Sequence, residues 1–130
     1  MGSKTSSCCW SLQVLRTQEL LATRVRMARA LGERMVGLLG RSCLEEGEGL
    51  ILAPCRSIHT YFMRFAIDAV FVDRAWDVVA LSKALPPWRF SAWNYKTVAV
   101  VELPVGAIDR ARLVLGDRLG LQPCTCRKET

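Results

Sequence analysis

The chain has 130 residues, of which 51% are hydrophobic and 23% charged, and its formal net charge is +6. This composition excludes a disordered chain, and the length predicts one globular domain that buries a continuous core without disulfides. No apolar run reaches the roughly 18–20 residues that cross a bilayer, so a transmembrane segment is also excluded.

The first 21 residues predict neither export nor stable anchoring. They contain no continuous apolar core of the length found in secretory signals. They do fit the short and common N-myristoylation pattern, through Gly2 and Ser6. We therefore expect a soluble cytoplasmic protein, and we expect it to be a monomer.

The charges and cysteines argue against two common classes of partner. The arginines are scattered along the chain without a recognition helix or an aromatic–basic motif, which argues against nucleic acid. The six cysteines include no C-x-x-C pair, so no zinc site and no other cofactor is predicted. One alternative remains for the positive charge: Arg24 and Arg26, on one face of a predicted strand, could meet an acidic partner.

The first half of the chain reads as strands around one helix. Short strands are predicted at 12–16 and 20–27, followed by a helix at 29–41 where leucines recur at helical spacing and Gly40 can end it. A charged loop at 43–49 leads into a strand at 50–53. Segments 58–63 and 67–72 are rich in β-branched and aromatic residues, and we expect them to pair as a hairpin across 64–66.

The second half predicts more strands. Asp73 and Asp77 bracket a turn, a strand follows, and Pro86 and Pro87 must leave the sheet because they donate no ladder hydrogen bond. A clear strand at 97–104 precedes a short helix near 107–112, a turn at Gly116–Asp117 and a last strand. We predict an α+β, mainly β domain: a small barrel or curved sheet with one or two short helices. The domain spans 12–121, with flexible tails at 1–11 and 122–130.

His59 is the chain's only histidine and the natural candidate for acid–base chemistry. In a catalytic interpretation it is a general base, oriented by Asp68, Glu102 or Asp117, with Thr60 or Cys55 as nucleophile. In a metal-site interpretation it joins Cys55, Asp68 and Glu102 as a ligand, but a set with only one imidazole is weak evidence for a metal site. In a purely structural interpretation, His59 only forms hydrogen bonds that stabilise the fold. Catalytic residues therefore remain open among His59, Asp68 and Glu102.

Asp68 stands among apolar residues and needs compensation if it is buried. Arg64, the Thr60 hydroxyl or backbone N–H groups could supply it. We favour a structural role, in which Asp68 braces a turn through backbone hydrogen bonds, over a functional acid.

Aromatic residues in the proline-led segment "PPWRFSAW" predict a lip beside a binding cleft, because Trp88 and Trp93 are hard to explain as core. A non-catalytic binding module for a small ligand or partner peptide is therefore the favoured function, and a hydrolase-like enzyme is the alternative. The predicted ligand-binding residues are His59, Thr60, Met63, Asp68, Trp88, Glu102 and Asp117.

Five ordered blocks of the sequence resemble one known family. These blocks are "RMVGLLGR", "GEGLIL", "CRSIHTYFMRFAIDAVFVD", "VVAL…ALPPWR" and "VVELPVGAI…GDRL". Over roughly residues 12–121 they resemble the bacterial and archaeal domain of unknown function 192. The resemblance implies a compact β-rich domain without an established reaction. Its central motif falls on His59, Thr60, Phe62, Met63, Ile67 and Asp68, and Ala66 stands where that family frequently has proline.

Overall fold

The computed structural model describes residues 10–28, 43–58, 60, 63–91 and 94–123. The predicted helix at 29–41, His59 and Trp93 lie outside these residues. Within them there is one sheet and one short helix, which confirms the predicted mainly β class. No helix in the described ranges is long and apolar enough to span a membrane.

Seven strands form the sheet in the order β5-β4-β6-β3-β2-β1-β7. All adjacent strands are antiparallel except the parallel pair β2 and β3. The helix α1 spans Ala107–Arg110. The strands are β1 (Trp10–Val14), β2 (Leu20–Ala28), β3 (Glu48–Leu52), β4 (Ile67–Val72), β5 (Val78–Leu85), β6 (Ala99–Pro104) and β7 (Leu119–Pro123). The sheet thus extends two residues beyond each end of the predicted domain 12–121, to Trp10 and Pro123.

The sheet curls until its two edge strands meet at one point. An isolated antiparallel bridge joins Asp77 to Arg118, and the Val78 N–H donates to the Asp117 carbonyl at 2.8 Å. Register shifts in the β1–β2 and β4–β5 pairs mark bulges, which bend strands and increase their twist. The result is a half-barrel whose edges touch near residues 77 and 118.

Two apolar clusters cover the two faces of this sheet. The inner core receives side chains from every strand and from α1, including Leu12, Ile51, Val70 and Ile108. The outer core lies on the convex face and includes Leu50, Ala69, Phe71 and Val100, covered by Cys55, Ile58 and Met63. Because β4 and β6 lie between both clusters, all six residues of each strand are buried.

The predicted hairpin of 58–63 with 67–72 is wrong. Strand β4 pairs with β5 on one side and with β6 on the other, so it offers no edge to residues 58–63. The reason is hydrophobic burial: β4 carries apolar side chains on both faces and takes a central place, where both faces are covered. Residue 60 instead exchanges backbone hydrogen bonds with residues 88 and 89.

The predicted turns and the late elements agree with the structure. Asp73 Oδ1 accepts hydrogen bonds from the backbone N–H groups of Ala75 and Asp77, at 2.9 and 3.0 Å, which closes the predicted aspartate turn. Strand β5 ends at Leu85, directly before the two prolines. The short helix and the last strand also lie where the sequence places them.

Candidate functional site

Asp68 is 1% exposed, and both of its carboxylate oxygens accept hydrogen bonds from backbone N–H groups. Its Oδ1 accepts from Ala84 at 2.9 Å, and its Oδ2 accepts from Gly106 at 3.1 Å and from Ile108 at 3.0 Å. The Ala84 donor is available because a bulge in β5 places it outside the ladder, with φ at 52°. Asp68 therefore ties β5 to the start of α1, in keeping with the structural role that its sequence context favours.

Glu102 points to the opposite face of the sheet from Asp68. In the β4–β6 register Asp68 lies opposite Leu103, an inner-core residue, whereas Glu102 lies opposite Ala69, an outer-core residue. Neighbouring residues of a strand alternate between faces, so the two carboxylates cannot serve one site or share one metal ion. Among the described residues, no three side chains of metal-ligating type lie together.

Glu102 is buried among apolar groups and is 5% exposed. Its cross-strand neighbours are Leu50 on β3 and Ala69 on β4. No hydrogen bond or ion pair of its carboxyl group is found in the described part of the chain. Burial without such compensation raises the pKa of Glu102 to about 7, because the charged form loses its hydration. Among the predicted site residues that the structure describes, Glu102 is the one whose pKa is raised to near neutral pH.

Asp117 belongs to the seam between the barrel edges. Its side chain is 2% exposed and forms a bidentate pair with Arg16, with N···O distances of 2.7 and 3.0 Å. It also accepts the Val114 N–H at 2.9 Å. The hydrogen bond from Arg16 lowers the pKa of Asp117. The Asp117 backbone bonds to the first residue of β5, whereas Asp68 lies opposite the last residues of that strand. The two aspartates are therefore at different ends of β5 and do not form one site.

Thr60 fastens the loop that follows β5. Its hydroxyl donates to the Pro86 carbonyl at 2.6 Å and accepts the Arg89 N–H at 2.9 Å. Its backbone adds two bonds, to the Arg89 carbonyl at 2.8 Å and from the Trp88 N–H at 2.9 Å. With 0% exposure and its hydroxyl occupied, Thr60 is a brace for residues 86–91 and is badly placed to act as a nucleophile. Met63, also buried, bonds to the Thr60 carbonyl through its N–H.

The braced loop presents aromatic side chains to solvent. Trp88 is 55% exposed and Phe90 is 62% exposed. Trp88 also has a φ of 65°, a left-handed conformation that costs an aromatic residue on the order of 1–2 kcal/mol. The hydrogen bonds between Thr60 and the loop offset that cost and hold Trp88 at the surface. The structure therefore places three of the predicted ligand-binding residues, Thr60, Met63 and Trp88, together.

Exposed cations lie on the chain segments next to these rings. Arg56, Arg64 and Arg89 lie on the two segments that Thr60 joins, and Tyr95 and Lys96 are nearby because the Cys55 N–H bonds to the Val98 carbonyl. We call this surface the basic–aromatic face; its exposed members are Arg56, Arg64, Trp88, Arg89, Phe90, Tyr95 and Lys96. Most of its members were missed in the sequence, although one signal was present: neither 49–67 nor 78–101 contains an aspartate or glutamate. Because the fold brings parts of these two carboxylate-free segments next to each other, their absence of acidic residues becomes a property of one surface.

A separate hollow of about 260 Å³ opens near the start of β2 and α1. Its lining includes Leu21, Thr23, Gly47 and Ala107, and an ion pair of Arg110 with Glu46 at 3.5 Å spans part of its wall. None of the predicted site residues lines it. Its charged groups neutralise each other, so it is a weaker candidate than the basic–aromatic face.

Comparisons with known proteins identify relatives without a known activity. The model of the DUF192 family, described as "Uncharacterized ACR", matches residues 13–121. Two archaeal UPF0127 proteins are similar over 63 residues, or 48% of this chain: one from Thermococcus sibiricus at 40% identity and one from Pyrococcus furiosus at 41%. The matched stretch covers 40% and 53% of those two proteins.

Solved structures share the fold at low identity. A protein of unknown function from Novosphingobium aromaticivorans superposes with a TM-score of 0.71 at 20% identity, over 92% of this chain and 99% of its own. A Sinorhizobium meliloti protein, whose description proposes a transcription regulator, gives a TM-score of 0.75 at 16% identity, over 92% and 97%. These likenesses support the architecture alone.

Proposed function

This chain belongs to the DUF192 family, which is uncharacterised, and we propose that its domain is a non-catalytic module that binds a small ligand or a partner peptide. The binding site in this proposal is the basic–aromatic face. The observation that carries it is the loop 86–91, whose hydrogen bonds with Thr60 hold Trp88 and Phe90 exposed.

Both the exposure and the bracing matter for binding. An exposed aromatic pair buries a large area on contact, and rings of this kind dominate the energy of many interfaces. A loop that is already fixed loses little conformational entropy when a partner arrives. The left-handed backbone at Trp88 adds to this, because strain of this kind persists where the surroundings over-determine a conformation.

The test uses peptides and small molecules selected from display and fragment libraries on the purified full chain. The double variant Trp88→Ala/Phe90→Ala should bind the selected ligands at least about thirtyfold more weakly, the effect of losing one interface hot spot of about 2 kcal/mol. Fluorescence anisotropy measures the dissociation constants.

A matched control separates this effect from general loss of exposed apolar surface. Leu20 and Leu115 are 58% and 63% exposed and lie outside the face. Leu20→Ala/Leu115→Ala should leave the affinities within about twofold, as expected of surface residues outside an interface. Selected ligands that bind the Trp88→Ala/Phe90→Ala variant as tightly as the original chain would show that the site is wrong.

A hydrolase-like activity is the second candidate, and Glu102 is the observation in its favour. A carboxyl group whose pKa is about 7 can both donate and accept a proton near neutral pH. Asp68 does not support this role because its oxygens are occupied on the other face. Ester hydrolysis with a pH profile that inflects near 7, and its loss in Glu102→Gln, would establish an enzyme; activity unchanged in Glu102→Gln would remove Glu102 from it.

A further inference from the structure

We propose that the basic–aromatic face takes an acidic segment of a partner polypeptide, bound in an extended conformation. This inference rests on the proposed function and names the chemistry of its ligand. It depends on two observations that the binding proposal does not use, the charge pattern around the rings and the open edge of β5.

Among the described residues, no carboxylate pairs with the cations of the face. Arg56, Arg64 and Lys96 are exposed and form no ion pair in the described part of the chain. No acidic residue is available nearby along the chain, because 49–67 and 78–101 contain none. Their positive potentials therefore add, and they attract a negatively charged partner toward the rings.

Most of the described cations elsewhere on the surface are paired, and Arg26 and Arg74 are the exceptions. Six of them form ion pairs with carboxylates within the described residues: Arg16, Arg24, Lys83, Arg110, Arg112 and Arg118. Arg24, which the sequence suggested for an acidic partner, lies 3.9 Å from Glu45. Of the described cations without an ion pair, most therefore lie on the basic–aromatic face, and the strand face of β2 is partly neutralised.

The neighbouring sheet edge favours a polypeptide over a lipid surface or a nucleic acid. Strand β5 is an edge strand that pairs with β4, and beyond its first residue its outer side has no strand partner among the described residues. Its last residue, Leu85, runs directly into the loop of the face. An extended peptide can bond to such an edge through its own backbone, which lipid headgroups and bases cannot do.

The experiment uses a short labelled peptide in which glutamate alternates with leucine, and the same peptide with every glutamate replaced by glutamine. The acidic peptide should bind the full chain at least about tenfold more tightly than its amide analogue, and added salt should weaken its binding. The triple variant Arg56→Gln/Arg64→Gln/Arg89→Gln should lose about tenfold in affinity for it.

The control removes the same total charge from other surfaces. Arg26→Gln/Arg74→Gln/Arg112→Gln should bind the acidic peptide as the original chain does. Equal binding of both peptides, or equal loss in both triple variants, would overturn the inference, as would binding of anionic vesicles or a single-stranded oligonucleotide without binding of the acidic peptide. Charge-independent peptide binding that still requires Trp88 and Phe90 would overturn the inference and leave the proposed function standing.

Discussion

Asp68 shows how one buried carboxylate can hold separate parts of a fold together. Its three backbone donors come from the β5 bulge and from the start of α1, which are distant in sequence. Bonds from N–H groups to a charged acceptor are stronger than bonds between neutral groups, and a buried donor without an acceptor is costly.

We therefore expect Asp68→Asn to lower the free energy of unfolding by about 2–4 kcal/mol, because an amide replaces one acceptor oxygen by a donor that faces N–H groups. Urea denaturation measures the change. Asp109→Asn is the control: its side chain is 72% exposed and pairs with Lys83, so it should change stability by less than about 1 kcal/mol. Equal effects of the two substitutions would contradict the bracing role of Asp68.

Glu102 makes stability depend on pH in a predictable direction. Its ordinary pKa of 4.5 rises to about 7 in the folded chain, so the folded state binds the proton more tightly than the unfolded state. Its contribution is fully present below pH 4.5 and is lost as the pH rises through 7.

Relative to the original chain, Glu102→Gln should therefore gain on the order of 2–3 kcal/mol in unfolding free energy between pH 4.5 and a pH above 7. Urea denaturation of both chains across this range gives the difference. A difference that stays constant over the range would mean that the Glu102 carboxyl titrates normally.

At the scale of elements, Ile58 and Thr60 support the loop 86–91 through hydrogen bonds, as a neighbouring strand would. Thr60 supplies both its backbone and its hydroxyl to this contact, and the Ile58 N–H adds a bond to the Ser91 hydroxyl at 2.8 Å. The loop that carries the exposed rings is therefore part of the fold and not a loose connection.

Thr60→Val keeps the shape of the side chain and removes the hydroxyl, so it should cost about 1–3 kcal/mol and leave the Arg89 N–H with weaker protection. Hydrogen exchange of the backbone amides is the measurement. Exchange should accelerate at Trp88 and Arg89 more than in β6, while Thr60→Ser should remain close to the original chain. Uniform acceleration across the sheet would argue against a local brace.

At the scale of the whole molecule, the half-barrel depends on a polar seam. This seam is the contact between the edge strands, and two ion pairs lie beside it: Arg16 with Asp117, and Arg118 with Asp77, each with an N···O distance of 2.7 Å. The hydrogen bond from Arg16 lowers the pKa of Asp117, so the stability that Asp117 contributes is present above pH 3.8 and is lost as the pH falls through the lowered pKa.

Asp117→Asn should consequently lower the free energy of unfolding at neutral pH by about 1–2 kcal/mol, and the difference should shrink in acid. Arg118→Gln, which breaks an exposed pair, should have the smaller effect. Thermal unfolding followed at several pH values tests both expectations. A deficit in Asp117→Asn that grows as the pH falls would contradict the assigned ion pair.

Much of this architecture was predictable because it depends on local physical chemistry. Three local signals act over only a few positions: the prolines after Leu85, the aspartate turn at Asp73 and the alternation of side chains along each strand. From such signals the sequence alone predicted a mainly β domain and most strand positions. The same local evidence predicted that Asp68 would bond to the backbone, since a carboxylate in an apolar strand has few other partners.

The tertiary structure alone decided which strands are neighbours and which polar groups share a surface. The local pattern predicted that 58–63 and 67–72 pair as a hairpin. The central strand β4 pairs instead with β5, which follows it directly, and with the more distant β6, because this arrangement buries both of its faces. The same packing separates Asp68 from Glu102 and brings the segments that carry Arg56, Arg64 and Arg89 next to each other. Strand pairing and charge clustering are properties of long-range contacts, and these depend on how the whole chain covers its apolar surface.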